Sequence, residues 1–580
     1  MAAEENVKGG VKVEATFGEA SSRAQTARPH IDAPFRLTVV GDFGGDGSGR
    51  AVEVTAAELA DLGTRLGAKV DLVLPNRLGS SPPSLSVSVP IRTLRDLDPK
   101  TLEARVDPIQ RARKLLAEAE SGVLPYEIAP DPAFDHLHAA LSARSQAPVT
   151  PSATGASGTG TDDGSLDRLL GLVDVPGQSP PPSLAKSAVA AFVGSISKSD
   201  RPRPSAGTSE AARLVAEQSR DLVGHPGWLA VEAAWRCLRH IAAAQDLQHV
   251  RIVLRDLRRD AIPDRLTQAI ANDPGEATQH RRGAILVLGA FGSSGKDLEA
   301  LDRLALAGQS LGEPVIVSLD QAFFGAAALS VAAMDNPAAL LDGSAFASWR
   351  GLRDRPESRF LFAAWNDVLL RPSVGESPDL WGEPGFVVAA QILRSLSRSG
   401  WPSEILGSGT ALGGFDVAEV AQGAGRVTAI PLRSLVDPGT ARDLGRAGVI
   451  CLVCRPDRDL VWLPGAACVH GVGANGEPAH QKAMETFHSL AFLLASQQIE
   501  DLLSRHASAL RAQPSPRQVA EAVSDFLTDA LLTTGPGASA HAEIMPPEEG
   551  DAHDALRLEI SVQFGRSVLG GFAFSLDLVL

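Results

Sequence analysis

Two groups of residues have the types and spacing for chemistry. The first is AILVLGAFGSSGKDLEAL, an apolar run, a Gly-rich loop and a helical pattern in the order of a phosphate-binding loop. Such a loop needs Gly, four residues, then Gly-Lys-Ser/Thr, so that backbone N–H groups cradle phosphate and the hydroxyl holds magnesium. Gly295 and Lys296 are present, but Ala290 stands at the first glycine and Asp297 at the hydroxyl position. A carboxylate there repels phosphate, and Asp297 is better placed as charge at the start of a helix. An α/β nucleotide-binding enzyme using Gly295 and Lys296 therefore stands only as an alternative of a different class. The second group is Cys451, Cys454, Cys468 and His470, a C-x-x-C and a C-x-H that could form a zinc site. Cys451 and Cys454 lie in a strand-like run, where residues three apart face opposite sides. Small buried hydrophobes describe them better.

Other candidates are thinner. His136 and His138 alternate without a further ligand nearby in sequence, and GDFGGDGSGR (Gly41 to Arg50) is Gly-rich but lacks the lysine and reads as a turn. No Gly-x-Ser-x-Gly elbow or His-Glu-x-x-His occurs. No catalytic residue, cofactor or metal site is assigned, and a non-enzymatic protein is expected. Glu232 and Arg236 form an i,i+4 pair, worth a few tenths of a kcal/mol if exposed. Trp228, Trp235 and Leu238 repeat at helical spacing, as core residues do.

The elements around these residues alternate between strand and helix patterns. Val11, Val13, Ala15 and Phe17 alternate with polar residues as a strand does; FRLTVVGDFGG, VDLVLPN and LSVSVPI read as further strands, and Asp107 to Ser121 as an amphipathic helix. Glu210 to Ala244 is helical, broken at His225-Pro226-Gly227, where proline suits a new first turn. Strands follow at HVRIVLRDL, AILVLGAFG, EPVIVSLD, RFLFAAW, VTAIPL, AGVICLVCR and DLVWLPG, then a helix from Ala479 to about Arg511, and finally LRLEISVQF and FAFSLDLVL. This alternation predicts an α/β fold of mixed sheets with flanking helices. Residues 145–205 are rich in Pro, Gly, Ser and Thr and predict a flexible linker, carrying a short helix near 165–174 built on Leu166, Leu169 and Leu170. The linker separates a unit over 1–144 from one over 206–580.

Composition narrows the function class. The 580 residues are 44% hydrophobic and 21% charged, which is enough apolar material for a packed protein. The net charge of −15 argues against nucleic acid or an anionic membrane surface as the main partner. No stretch reaches the about 18 apolar residues of a membrane span. Four cysteines are too few for a disulfide framework, and the acidic N-terminus lacks the pattern of a secretory signal, so a cytoplasmic location is expected.

The ordered motifs carry a resemblance. PFRLTVVGDFGG, VDLVLPNRLG and SLSVSVPIRTLRDLDPKTLEARVDPIQRARKLLAEA resemble the small sheath subunit of type VI secretion systems (TssB, ImpB or VipA). That family has a Leu-Gly-Asp-Phe strand-turn, an Arg-Val-Pro-Asn strand and a Pro-containing helical segment, corresponding here to Val40 to Gly44, Val73 to Leu78 and Leu94 to Leu116. The later unit resembles the large sheath subunit (TssC, ImpC or VipB). HPGWLAVEAAWRCLRHI keeps Glu232, Trp235 and Arg236 of that family's helix, with Cys237 in place of glycine. LWGEPGFVVAAQILRSLSRSGWPSEILGSGTALGG keeps Trp381-Gly382, Gly400-Trp401 and the final Gly-Gly. Leu361 to Trp365 and Ser373 depart from the family pattern, and in the family the two subunits are separate chains.

The resemblance implies a structural protomer that polymerises as a helical sheath around an inner-tube protein, docks on baseplate components and contracts to drive protein translocation. It implies that extended terminal strands cross to neighbours; Val11, Val13 and Phe17 at one end and Phe572, Phe574 and Leu576 at the other are the candidates. Leu166, Leu169 and Leu170 match the position of the helix that an AAA+ unfoldase reads after contraction. Glu232, Trp235, Arg236, Trp381, Gly382, Gly400 and Trp401 are the sheath-core candidates. A non-contractile adaptor or cap of the same ancestry is the nearer alternative.

Overall fold

The computed structural model describes residues 14–16, 35–55, 58–121, 131–142, 206–243, 250–271, 282–325, 336–422, 426–471, 484–546, 555–565 and 571–579. The chain opens with β1 (Glu14–Thr16), β2 (Phe35–Gly41) and β3 (Ala51–Val54). In β2 every residue except Arg36 is buried. A strand buried along nearly its whole length is covered on both faces. By contrast β4 (Lys69–Pro75) alternates exposed and buried residues, and it pairs with β5 (Ser84–Pro90) as a two-stranded ribbon.

After the helices Ala206–Val223 and Pro226–Ala243, strands and helices alternate. β6 (Val250–Asp256), β7 (Gly283–Phe291), β8 (Val315–Leu319) and β9 (Leu361–Trp365) are interleaved with helices Ile262–Ala271, Gly295–Leu311 and Ala347–Arg353. The short pair β10 (Val368–Arg371) and β11 (Leu380–Gly382) leads into helix Gly385–Ser399. Then come the hairpin β12 (Ala418–Gln422) and β13 (Arg426–Ile430), helix Pro438–Arg446, β14 (Val449–Cys451), and the pair β15 (Val453–Cys454) and β16 (Val461–Trp462). Helices Leu490–Arg511 and Pro516–Leu531 precede β17 (Ser539–Ile544), β18 (Ala555–Gln563) and β19 (Gly571–Val579).

The main sheet has seven strands in the order β14-β9-β8-β7-β2-β6-β3. Every pairing is parallel except β3 with β6. β2 is therefore an interior strand of a sheet whose other parallel strands come from more than two hundred residues later: Leu37 lies opposite Ile252 on one side and Ala284 on the other. Strand periodicity assigns the two faces. Ile285, Val287, Val315, Val317 and Leu361 join the core under helices Ile262–Ala271 and Gly295–Leu311. On the other face a Cβ at Gly385 would come within 2.9 Å of Ser318 Oγ and 3.2 Å of Leu286, so helix Gly385–Ser399 lies directly on the strands. This is the mixed α/β architecture that the alternation predicts.

By contacts the chain divides into two compact units that interleave along the sequence. One comprises Met1–Leu72, Ser86–Arg105 and Leu222–Leu580; the other comprises Val73–Leu85 and Val106–Asp221. In the second, helices Asp107–Glu120, Asp135–Ser142 and Ala206–Val223 gather around Leu78, Phe134 and Leu137. Within the first, a separate core under the C-terminal strands joins Trp401, Ile499, Val523 and Leu558.

Two expected elements are interrupted. The helix predicted over Ala479 to Arg511 is helical at 484–487 among the described residues, breaks at His488-Ser489 and starts again at Leu490, where the Ser489 hydroxyl accepts the Phe492 N–H as a cap. AGVICLVCR divides into β14 and β15 at Leu452, whose N–H bonds Trp365 O at 3.1 Å while its flanks pair with different strands.

Candidate functional site

Glu232 lies on the buried face of helix Pro226–Ala243 with no exposed surface. Arg236 follows one turn later and donates from Nε to the Glu232 carboxylate at 2.9 Å. Arg371, the last residue of β10, donates from its own Nε to the same carboxylate, also at 2.9 Å. Arg371 also donates to Ser377 Oγ at 2.8 Å and to the carbonyls of Pro372 and Pro378 at 3.0 and 3.2 Å. Arg236 reaches outward to Asp98 at 3.3 Å. The result is a buried carboxylate between two guanidiniums, each tied further to its surroundings. The sequence singles out Glu232 and Arg236 but not Arg371; an arginine closing the apolar run VLLRP is the only local signal.

Next to this cluster, Trp235 Nε1 donates to Phe43 O at 3.1 Å, and the two rings meet edge to face at 5.8 Å. Phe43 belongs to the Gly-rich turn after β2. Its N–H and that of Gly47 donate to the two carboxylate oxygens of Asp256, both at 2.8 Å. The turn does cradle an anion, and that anion is the protein's own Asp256 at the end of β6. Arg255 adds a bond to Gly49 O at 3.1 Å.

The remaining core candidates are distributed. Trp381 is covered by the Arg433 guanidinium at 4.5 Å, and Gly382 has Leu370 where a Cβ would lie, at 2.6 Å. Gly400 ends helix Gly385–Ser399 in the left-handed conformation (φ 74°) and its carbonyl accepts from Gln498 at 2.8 Å. Trp401 Nε1 donates to Ala530 O at 2.9 Å, and the ring meets Phe564 edge to face. Glu232, Trp235 and Arg236 share one helix face, whereas Gly400 and Trp401 sit with the C-terminal layer.

Near Trp381 are two buried carboxyls that sequence reading does not find. Glu383 accepts from Gly289 N–H at 2.5 Å, and burial pushes its pKa up to about 7. Asp367 pairs with Arg433 at 3.1 Å, yet burial raises it to about 6.

β1, β19, β18 and β17 form a four-stranded sheet in that order. Phe572, Phe574 and Leu576 lie in β19 opposite Val562, Ile560 and Leu558 of β18. On its other edge β19 pairs in parallel with β1, Glu14 with Ser575 and Thr16 with Asp577. The first and last described strands of the chain thus meet in one sheet. Val11, Val13, Phe17, Leu166, Leu169 and Leu170 lie outside the described residues.

The chemical look-alikes resolve locally. Ser294 caps helix Gly295–Leu311, accepting from Asp297 N–H at 3.2 Å and donating to its carboxylate at 2.6 Å. Cys451, Cys454 and Cys468 are buried, which raises all three thiols, Cys454 and Cys468 to about 12. His470 Nδ1 is within 2.8 Å of Arg355 O. Among the described residues no group of three His, Cys, Asp or Glu side chains could hold a metal ion, and no helix is long and apolar enough to cross a membrane.

Fold and site define an α/β protein whose described polar clusters act as internal ties. Residues 208–379 match the family model VipB (EvpB/VC_A0108, tail sheath N-terminal domain). The matched stretch, less than half of the chain, includes Glu232, β6 to β9 and Arg371. It supports a relationship to contractile-sheath large subunits, which form a structural family. A solved structure described as the cryo-EM structure of the anti-feeding prophage (AFP) baseplate, 6-fold symmetrised, is 13% identical at a TM-score of 0.31, covering 58% of this chain and 77% of that chain. No curated protein matches.

Proposed function

We propose that this chain is the protomer of a contractile sheath, with the counterparts of a small and a large subunit on one polypeptide. The observation that carries this reading is the place of β2. The stretch matching the large-subunit family contributes β6, β7, β8 and β9, and the gap between β6 and β7 is filled by the strand that resembles the small subunit. Phe43, Asp256 and Trp235 then fasten the two segments together.

Protomers add head to tail, a contact that does not close and so builds a filament. β1 and β19 pass between neighbours by strand addition. Each backbone bond contributes only about 0.5–1.5 kcal/mol, so a three-residue strand such as β1 can leave one sheet and join another. The filament surrounds an inner-tube protein in the cytoplasm, rests on baseplate components, contracts to drive translocation, and is recycled by an AAA+ unfoldase that reads the segment around Leu166. Negative-stain electron microscopy of the purified chain, alone and co-expressed with the inner-tube protein, tests this. Hollow tubes with cogwheel cross-sections are expected. Discrete particles in both samples would overturn the polymer and favour an adaptor or cap.

A further inference from the structure

A cleft of about 810 Å3 lies among the turn Pro337–Asp342, the end of helix Pro438–Arg446, the loop from Pro464 to His470 and the start of helix Leu490–Arg511. Small-molecule sites span about 300–1,000 Å3. The assembly reading makes no use of this cleft. His488 lines it at only 4% exposure, and its Nδ1 has no hydrogen-bond partner. Arg353 lines it too: one terminal nitrogen donates to Arg446 O at 2.8 Å, while the buried Nε is unpartnered. Buried polar atoms are nearly always satisfied, so two orphans on one cleft mark a place for a ligand's polar atoms.

The charges define the ligand's class. Arg446 is occupied by Asp443 and Glu485, each at 3.2 Å. Arg442 makes no ion pair or hydrogen bond among the described residues. The lining holds three arginines and three carboxylates; two of those carboxylates, Asp443 and Glu485, are both taken up by Arg446, so the share of the lining that carries Arg353 and Arg442 has only Asp342 to balance two guanidiniums. His488 is held neutral, lowered to about 4 by burial and then by His470 and Arg359, and so can bind without adding charge. Leu406, Pro464 and Ala491 supply apolar wall.

We propose that this cleft binds a small organic anion, its carboxylate or phosphate head held by Arg353, Arg442 and the His488 imidazole and its apolar body resting on Leu406 and Pro464. The inference is independent of sheath assembly. Isothermal titration calorimetry of the full chain with benzoate, phenyl phosphate and uncharged benzyl alcohol tests it. At least one anion is expected to bind once per chain, more tightly than the alcohol, and to reveal which head group is preferred. Arg442→Gln, at an exposed position, should weaken that binding about tenfold, the value of one charge-assisted bond. His488→Phe should do the same, and if it fails to fold, Arg442→Gln decides alone. Failure of both anions to bind at millimolar concentration, equal binding of benzyl alcohol, or unchanged affinity in Arg442→Gln would overturn the proposal.

Discussion

Arg371 donates to the carboxylate of Glu232 at 2.9 Å across 139 residues of chain, and both side chains are almost entirely buried. Removing one member of a buried pair is destabilising because the surviving charge loses compensation, and Glu232 would keep only Arg236. Arg371→Ala is therefore expected to lose about 3 kcal/mol, the lower end for a broken buried pair, in urea denaturation. The double variant Glu232→Leu/Arg371→Met should recover a large part of that loss. Equal losses in single and double variants would show that the carboxylate is satisfied without Arg371.

Two glycines close together in sequence should respond differently to alanine. A Cβ on Gly63 would lie 2.4 Å from Ile91 O and 2.7 Å from Arg92 O, backbone atoms with little room to move. Gly63→Ala is expected to cost about 3 kcal/mol or more. Gly67 has open space but a φ of 61°, so Gly67→Ala should cost only about 1 kcal/mol of backbone strain. Thermal unfolding of both variants provides the comparison.

The raised carboxyl of Glu383 gives a pH dependence of defined sign. Its folded value of about 7 lies above the ordinary carboxyl value of 4.5, so the folded state holds a proton that the unfolded chain releases. That contribution is fully present below the unfolded value and is lost as pH rises through about 7. Asp367 acts in the same direction up to about 6. Glu383→Gln should flatten the stability profile between these limits, by roughly 1–3 kcal/mol over the window. An unchanged slope would place the titration elsewhere.

The loop around Lys296 separates a helix cap from a phosphate site. Ser294→Ala should cost about 1 kcal/mol as a lost N-cap, whereas exposed Lys296→Ala should change stability by less than about 0.5 kcal/mol. No saturable ATP binding is expected before or after the lysine is removed. Saturable binding abolished by Lys296→Ala would restore the nucleotide-binding reading.

Trp235→Phe keeps the ring against Phe43 but removes the donor to the Phe43 carbonyl. A loss of about 1–3 kcal/mol is expected for the carbonyl left unsatisfied. It should be largest in the urea midpoint of the unit containing β2. A smaller loss would mean that another donor or water reaches that carbonyl.

Sequence by itself determined the local elements. FRLTVVGDFGG and VDLVLPN read as strands from their residues alone, and they are β2 and β4. Asp297 marked the start of a helix, which begins at Gly295; the Ser294 cap was not read. What sequence could not supply was the identity of the covering surface, because periodicity records that a face is buried but not against what. β2 lies between β6 and β7, whose residues are more than two hundred positions away. The same gap hid the occupant of the Gly-rich turn, since nothing near Phe43 or Gly47 points to Asp256. It also hid the environment of Glu232. One turn apart, Glu232 and Arg236 look like any surface pair; burial and the arrival of Arg371 make them the centre of a core ion cluster. Only tertiary structure decided these points, because desolvation and long-range pairing depend on what the rest of the chain brings alongside.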